Sequence, residues 1–366
     1  MRSILGIQCI VPPHILREIS NRGSQRQRDR VWRTITLSEQ MRGQRIAIQR
    51  GGATTGDSPG QKQRTIYDAG TGYDLPGTLA RSEGGPASSD VAVNEAYEGS
   101  GSTYDLYWSV YQRNSIDDHG MSMLSTVHYG QGYDNAFWNG KQMVYGDGDS
   151  DLPESERLFN RFTIALEVIG HELTHGVTQY EADLAYRSQP GALNESFSDV
   201  LGVLVKQRAL GQTAAEASWL IGEGLLTSNV KGVAIRSMKE PGTAYDDPVL
   251  GKDPQPGHMD QYQNLPAGDD NGGVHINSGI PNHAFYFVAM ELGGYAWDKA
   301  GQIWYVTLRD RLRSTSDFQD AANKTYAVAG ELYGIGSLER QAVKNGWSKV
   351  GITATEAKTG GGKGRK

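Results

Sequence analysis

The pattern of apolar and polar positions divides the chain near residue 150. From about 61 to 148 the sequence is rich in Gly, Tyr and Thr, and its apolar residues come in short runs. Ser122-Met123-Leu124-Ser125-Thr126-Val127-His128-Tyr129 reads as a strand bounded by polar turns. Asp90 to Tyr97, and onward to Tyr111, reads as helix. Beyond Pro153 the apolar residues recur at helical spacing, which predicts helices over about 154–181, 193–210, 214–226, 278–292, 296–310, 317–332 and 336–346. The expected class is α+β, a β-rich lobe followed by a mostly helical one.

Length and composition support that division. A chain of 366 residues has room for two or three domains, and 37% hydrophobic residues supply a sizeable core. No run of eighteen apolar residues occurs, so no membrane-spanning helix is expected. Met1 to Ile7 is too short for a secretory apolar segment, which leaves an intracellular location or non-standard export open. Cys9 is the only cysteine, so an intrachain disulfide is excluded.

Charge changes the picture at the N-terminus. Residues 1–50 hold ten Arg, no Lys and the three acids Glu18, Asp29 and Glu39, a net of about +7. With −6 for the whole chain, the remainder carries about −13. Gly51-Gly52-Ala53-Thr54-Thr55-Gly56-Asp57-Ser58-Pro59-Gly60 then has linker composition. A basic segment tethered to an acidic body is suited to docking on it. The same acidic body would repel phosphate, which argues against nucleic acid as partner. Residues 356–366, rich in Gly and Lys, read as a flexible tail.

The most informative chemistry lies at His171-Glu172-Leu173-Thr174-His175. Two His one helical turn apart share a face and can converge on one zinc ion. Glu172 is placed to take a proton from water, and Glu195 to supply a third ligand from the next helix. Three protein ligands leave a coordination position open, as a catalytic site requires. Ile164, Leu166, Val168, Ile169, Leu173 and Val177 make this helix apolar on several sides. A buried charged cluster of this kind would be costly without a compensating cation. Asp199, four residues beyond Glu195, can accept the second N–H of a ligating His.

Nineteen residues separate His175 from Glu195, and Gly132-Tyr133-Asp134-Asn135-Ala136-Phe137-Trp138-Asn139-Gly140, Arg236-Ser237-Met238 and Asp270-Asn271-Gly272-Gly273-Val274-His275 follow the same pattern. In these blocks the chain resembles the thermolysin-like neutral metalloproteases. The resemblance implies a two-lobed fold with the zinc helix in the cleft, and a zinc endopeptidase with one catalytic ion. It implies His171, His175 and Glu195 as ligands and Glu172 as general base. It implies Tyr186 and His275, the latter oriented by Asp270, as donors to the oxyanion. Asn135, Ala136 and Trp138 would grip an extended peptide by strand addition, and Arg236 would contact its carbonyl oxygen. Phe159, Phe162, Val168, Ile221, Leu225 and Ile235 fall at positions lining the pocket after the scissile bond, so cleavage before large hydrophobic residues is expected.

Cys9-Ile10-Val11-Pro12-Pro13-His14-Ile15-Leu16 resembles the start of the short propeptides of the protealysin-like subgroup. Pro12, Pro13 and Leu16 are then an inhibitory motif, interrupted here by His14 and Ile15. The implied organisation is an inhibitory propeptide at 1–52, a β-rich lobe at 53–165, a helical lobe at 166–355 and the tail at 356–366. By the same resemblance the protein is a secreted monomer acting on peptides and proteins, with its own propeptide as intramolecular inhibitor. The Cys9 thiol is either a cap for the zinc or a small buried hydrophobe.

One departure concerns calcium. The positions of the family's double calcium site are Glu167, Lys206, Ser218, Leu220 and Glu223, so three carboxylates are missing and calcium is not expected to be required. Asp147-Gly148-Asp149-Ser150-Asp151 lacks the Gly and Glu of a calcium loop at Leu152 and Leu158, and reads as a polar loop. Two rival functions remain: a zinc aminopeptidase, for which no exopeptidase signature is found, and an inactive zinc-bound binding module, against which Glu172, Tyr186 and His275 speak.

Overall fold

The computed structural model describes residues 8–47 and 59–356. The N-terminal segment contains β1 (Gln8–Cys9), α1 (Pro13–Arg22) and α2 (Gln25–Ala47). The first lobe follows with β2 (Arg64–Asp68), β3 (Thr78–Ser82), α3 (Val91–Tyr111), β4 (Met123–Val127), β5 (Ala136–Trp138) and β6 (Met143–Tyr145). Asp90 starts α3 by accepting the N–H groups of Ala92 and Val93, at 2.8 and 3.3 Å.

The six strands form one sheet in the order β1-β5-β6-β4-β2-β3. β2, β4 and β6 run parallel, while β3, β5 and β1 are antiparallel to their neighbours. The sheet of the body itself therefore ends at β5. The N-terminal segment supplies the strand beyond it, pairing Gln8 with Trp138 and Cys9 with Phe137.

The second lobe begins with α4 (Leu166–Tyr180) and α5 (Ser188–Leu210). The hairpins β7 (Leu220–Ile221) with β8 (Arg236–Ser237) and β9 (Asp246–Asp247) with β10 (Gly251–Lys252) come next. It closes with α6 (Asp270–Asn277), α7 (Gly279–Leu292), α8 (Lys299–Asp310), α9 (Phe318–Tyr333) and α10 (Leu338–Lys349). α4 and α5 cross closely because Gly202 has no side chain: a Cβ there would lie 2.4 Å from the Glu167 carbonyl oxygen and 2.8 Å from His171 N. This crossing brings the His pair of α4 against Glu195 of α5.

Two expected helices are corrected. The segment expected as helix over 154–181 has short 3₁₀ turns at Glu154–Glu156 and Phe162–Ile164, and is α-helical only from Leu166. Asp149 Oδ2 draws off the N–H groups of Leu158 and Phe159 at 2.7 and 2.9 Å, and Asn160 N–H bonds the Leu225 carbonyl. The segment 214–226 holds β7 and turns instead of a helix. Trp219, Gly222 and Gly224 have φ of 58°, 77° and 82°, which a right-handed helix cannot accommodate. α5 begins five residues earlier than expected, at Ser188. The linker at 51–58 and the tail beyond Glu356 lie outside the described residues.

Candidate metal centre and substrate cleft

His171, His175, Glu172 and Glu195 are all fully buried between α4 and α5. The two Nε2 atoms are 3.0 Å apart, and each is 3.5 Å from a Glu195 carboxylate oxygen. The edge of a tetrahedron of ligands about 2.0–2.1 Å from zinc is about 3.3 Å, so these separations fit the ion. The donor chemistry fits as well. His171 Nδ1 faces Asp199 Oδ1 at 2.7 Å, and His175 Nδ1 faces Asn194 Oδ1 at 2.8 Å and Ser198 Oγ at 2.9 Å. Each Nδ1 thus carries its proton, and both Nε2 lone pairs converge on one point beside a carboxylate. Among the described residues, this is the group of His, Cys, Asp and Glu placed to hold a metal.

Asp199 does more than orient His171. Arg236 donates to both of its oxygens, from Nε at 3.0 Å and Nη2 at 2.8 Å, and Asn282 Nδ2 donates at 2.8 Å. Burial alone would raise this carboxyl, but the Arg236 and His171 charges hold it well below the usual carboxylate range. Asn194, Ser198 and Asn282 were not singled out in the sequence. The first two share one face of α5 at i and i+4, the only trace that sequence carries of them.

The rest of the predicted residues gather around the same point. Trp138 N–H donates to Glu172 Oε2 at 3.0 Å, so β5 holds the carboxylate in place, whereas the Trp138 indole is buried in the core. Tyr186 hydroxyl donates to Glu195 Oε1 and stands 3.1 Å from His275 Nε2. Left-handed turns at Asn271, Gly272 and Gly273 fold Asp270 back onto His275, whose backbone N–H and Nδ1 both meet that carboxylate. Burial opposes the His275 imidazolium, but the Glu195 and Asp270 carboxylates raise its pKa to about 9.

The N-terminal segment lies across this cleft. His275 Nε2 is 3.1 Å from the Cys9 carbonyl oxygen. Ile10 N–H donates to the Ala136 carbonyl at 3.2 Å, and Arg236 Nη1 donates to the Ile10 carbonyl at 3.2 Å. Asn135 takes both sides of Val11, with Oδ1 3.0 Å from its N–H and Nδ2 3.4 Å from its carbonyl. The Cys9 side chain is buried in an apolar cluster with Met41, Tyr129, Tyr133, Phe137 and Val144.

Pro13 opens α1, and Ile10, Val11, Ile15, Leu16 and Ile19 are buried. Each such side chain contributes about 1.5–3 kcal/mol on burial. Ile10 joins the same apolar cluster as Phe159, Phe162, Val168, Ile221, Leu225 and Ile235, all of which are buried.

The basic face of the segment meets the acidic body as charge alone suggests. Arg30, 5% exposed on α2, inserts between Asp149 (Nε to Oδ1 3.1 Å), Asp134 (3.6 Å) and Asp151, and donates to the Gly148 carbonyl at 3.1 Å. Gly132 leaves the space for it, since a Cβ there would lie 2.3 Å from Arg30 Nη1. The loop read as merely polar is thus a receptor for a guanidinium. At the family's calcium positions, Lys206 Nζ lies 3.2 Å from Glu167 and 2.7 Å from Glu223, which also accepts from Ser218 at 2.8 Å.

Comparison with known proteins agrees with this geometry. The thermolysin metallopeptidase catalytic-domain family matches residues 36–179, and the thermolysin metallopeptidase alpha-helical-domain family matches residues 182–352. The chain belongs to the thermolysin metallopeptidase family, and is a zinc metalloendopeptidase. Within that family it is of the protealysin type. It is similar to the precursor of protealysin, a metalloproteinase from Serratia proteamaculans, at 49% identity and a TM-score of 0.85 over 94% of this chain and all of that one. An extracellular metalloprotease of Pectobacterium carotovorum subsp. carotovorum is 48% identical over 94% of this chain and 96% of its own length. Thermolysin of Alicyclobacillus acidocaldarius is 40% identical over 78% of this chain and half of its own.

Proposed function

We propose that the chain is a secreted zymogen whose first 50 or so residues hold the peptidase inactive, and whose mature form cuts peptide bonds before large hydrophobic residues. The observation that carries this reading is the seating of residues 8–16 across the catalytic residues, on the groups expected to bind substrate. Secretion draws support from the relatives named as extracellular. The specificity rests on the six apolar pocket positions, all of which are buried.

In this mechanism His171, His175 and Glu195 hold the zinc, which when bound supplies a Lewis acid and makes water a stronger acid. Glu172, steadied by Trp138 N–H, takes the proton of the attacking water and delivers it to the leaving nitrogen. Tyr186 and His275 donate to the oxygen that gains charge. Asn135, the Ala136 carbonyl and Arg236 hold the peptide extended, which converts encounter into near-attack geometry. Lys206 supplies the positive charge between Glu167 and Glu223 in place of calcium.

Release of the inhibitor needs a cut in the 50–60 region, of which 50–58 lies outside the described residues, and Ile46, Ala47 and Ile48 put apolar residues close to it in the sequence. Incubation of purified protein tests the reading. Wild type is expected to shorten to a start near Ala53 as activity appears, while Glu172→Ala stays full length. Cleavage of a peptide library by the shortened form is expected before Leu, Ile and Phe. Uncut protein that hydrolyses peptides as fast as the shortened form would overturn the inhibitory reading.

A further inference from the structure

Resting on that reading, we infer that the Cys9–Ile10 peptide bond is itself a reactive bond: residues 8–16 are a substrate-like inhibitor that the enzyme cuts slowly and reversibly between Cys9 and Ile10. The register assigns the bond. The group that donates to a developing oxyanion, His275 Nε2, meets the Cys9 carbonyl at 3.1 Å, with the Tyr186 hydroxyl next to it. The next nitrogen, that of Ile10, is the one bonded to the Ala136 carbonyl, and the next carbonyl is the one held by Arg236. Val11 then takes the side chain of Asn135. Chain direction, strand pairing and side-chain grips all agree on one register, and that register leaves a single peptide bond facing the catalytic groups. A cavity of about 490 Å³ is lined among others by Cys9, Val11, Trp32, Asn135 and His275.

Hydrolysis there balances with water alone. The water oxygen adds to the Cys9 carbonyl carbon, the carbon–nitrogen bond to Ile10 breaks, and Cys9 leaves as a carboxylate. Both protons of the water pass by way of Glu172 to the Ile10 nitrogen, which is freed as an ammonium. An ordinary substrate would then depart on both sides, but this one is anchored on the amine side. Ile10, Val11, Ile15, Leu16 and Ile19 are buried, Pro12 and Pro13 stiffen the link into α1, and His14 Nε2 bonds the Tyr245 hydroxyl at 2.9 Å. On the other side, Gln8 and Cys9 stay paired with Trp138 and Phe137 and Cys9 is buried, so the two new ends remain side by side and resynthesis competes with release. The cut alone does not free the cleft, because the amine-side anchor is unbroken.

The test uses the full-length chain. After native incubation and denaturation, mass spectrometry and N-terminal sequencing are expected to find a species beginning at Ile10. Its fraction among the chains not yet cut near Ala53 should level off short of completion, and it should be absent from Glu172→Ala. Amide exchange in the metal-stripped Glu172→Ala chain reads the register without any activity. The Ile10 and Val11 amides are expected to exchange at least ~100-fold slower than in the unfolded chain. Ile10→Leu should keep both the protection and the cut, and Ile10→Asp should lose both. Wild type that hydrolyses casein after shortening but never yields an Ile10 terminus overturns the inference and leaves the proposed function standing. Unprotected Ile10 and Val11 amides overturn the register. A chain that hydrolyses no peptide at all overturns the proposed function and the cut together.

Discussion

Arg236 Nη2 lies 2.8 Å from Asp199 Oδ1, and the same carboxylate oxygen lies 2.7 Å from His171 Nδ1. One buried carboxylate thus links the residue proposed to grip the peptide to a proposed ligand of the metal. Asp199→Asn should lower zinc affinity and kcat/KM together, each by ~10–100-fold, because the amide cannot accept from both partners as a charge does. Zinc titration alongside peptide hydrolysis checks this. An unchanged affinity would mean that His171 is oriented without Asp199.

Glu172 faces β5 and is no metal ligand in this geometry, so Glu172→Ala should keep its zinc and lose at least ~10² in kcat. His171→Ala, His175→Ala and Glu195→Ala should lose zinc as well as activity. Full metal occupancy in all three ligand variants, measured by elemental analysis, would refute the assignment.

The Lys206 ammonium between Glu167 and Glu223 predicts a melting temperature that rises little in millimolar calcium. Lys206→Met leaves the buried Glu167 without its cation and should cost about 1–3 kcal/mol, read by denaturant unfolding of the zinc-loaded chain. A large calcium-dependent gain in the wild type would point to another ion site.

Arg30 and Arg26 separate buried from exposed charge on the same helix. Arg30 is enclosed by three carboxylates, whereas Arg26 pairs with Glu156 at the surface. Losing one partner of a buried charge pair costs about 2–5 kcal/mol, and an exposed pair contributes about 0–1. Arg30→Ala should therefore produce the shortened, active form at least ~10-fold sooner, and Arg26→Ala should differ little from wild type. Time courses on denaturing gels separate the two.

His128 joins the start of α3 to the loop beyond β6. Its Nδ1 is 2.8 Å from Asp147 and its Nε2 is 2.8 Å from Asp90. The Asp147 hydrogen bond leads in raising its pKa from 6.5 to about 9, against the opposing effect of burial. A raised folded pKa means the stabilisation is complete below about pH 6.5 and is lost as pH climbs through about 9. The difference in melting temperature between wild type and His128→Gln should accordingly shrink from pH 6 to pH 9.5. A difference that stays constant would remove His128 as the cause.

Much of the site was legible because its ligands lie close in sequence on two helices with regular spacing. His171, His175, Glu195 and Asp199 are set by helical periodicity, and the α4–α5 crossing joins them. Asn194, Ser198 and Asn282 were not, because a polar residue on a helix looks the same whether it meets water or an imidazole. The error at 214–226 has a backbone cause: apolar spacing there mimics a helix, but left-handed φ at Trp219 before β7 and at Gly222 and Gly224 after it breaks the helical path. The charge contrast of the N-terminal segment was visible in composition. Its focus on Arg30 was not, since Asp134 and Asp149 are more than a hundred residues away.

Gly132 and the carboxylates around Arg30 are contoured to a side chain that the proposed activation removes. The catalytic body is in this respect a cast of its own precursor. A body that begins near Ala53 and is denatured must rebuild a pocket whose acids have lost the guanidinium they enclosed. Its refolding should therefore be slower than that of the full chain, and a separately added N-terminal segment should restore the rate. The segment then has a second use as the mould in which the enzyme sets, spent once and not carried into the mature molecule.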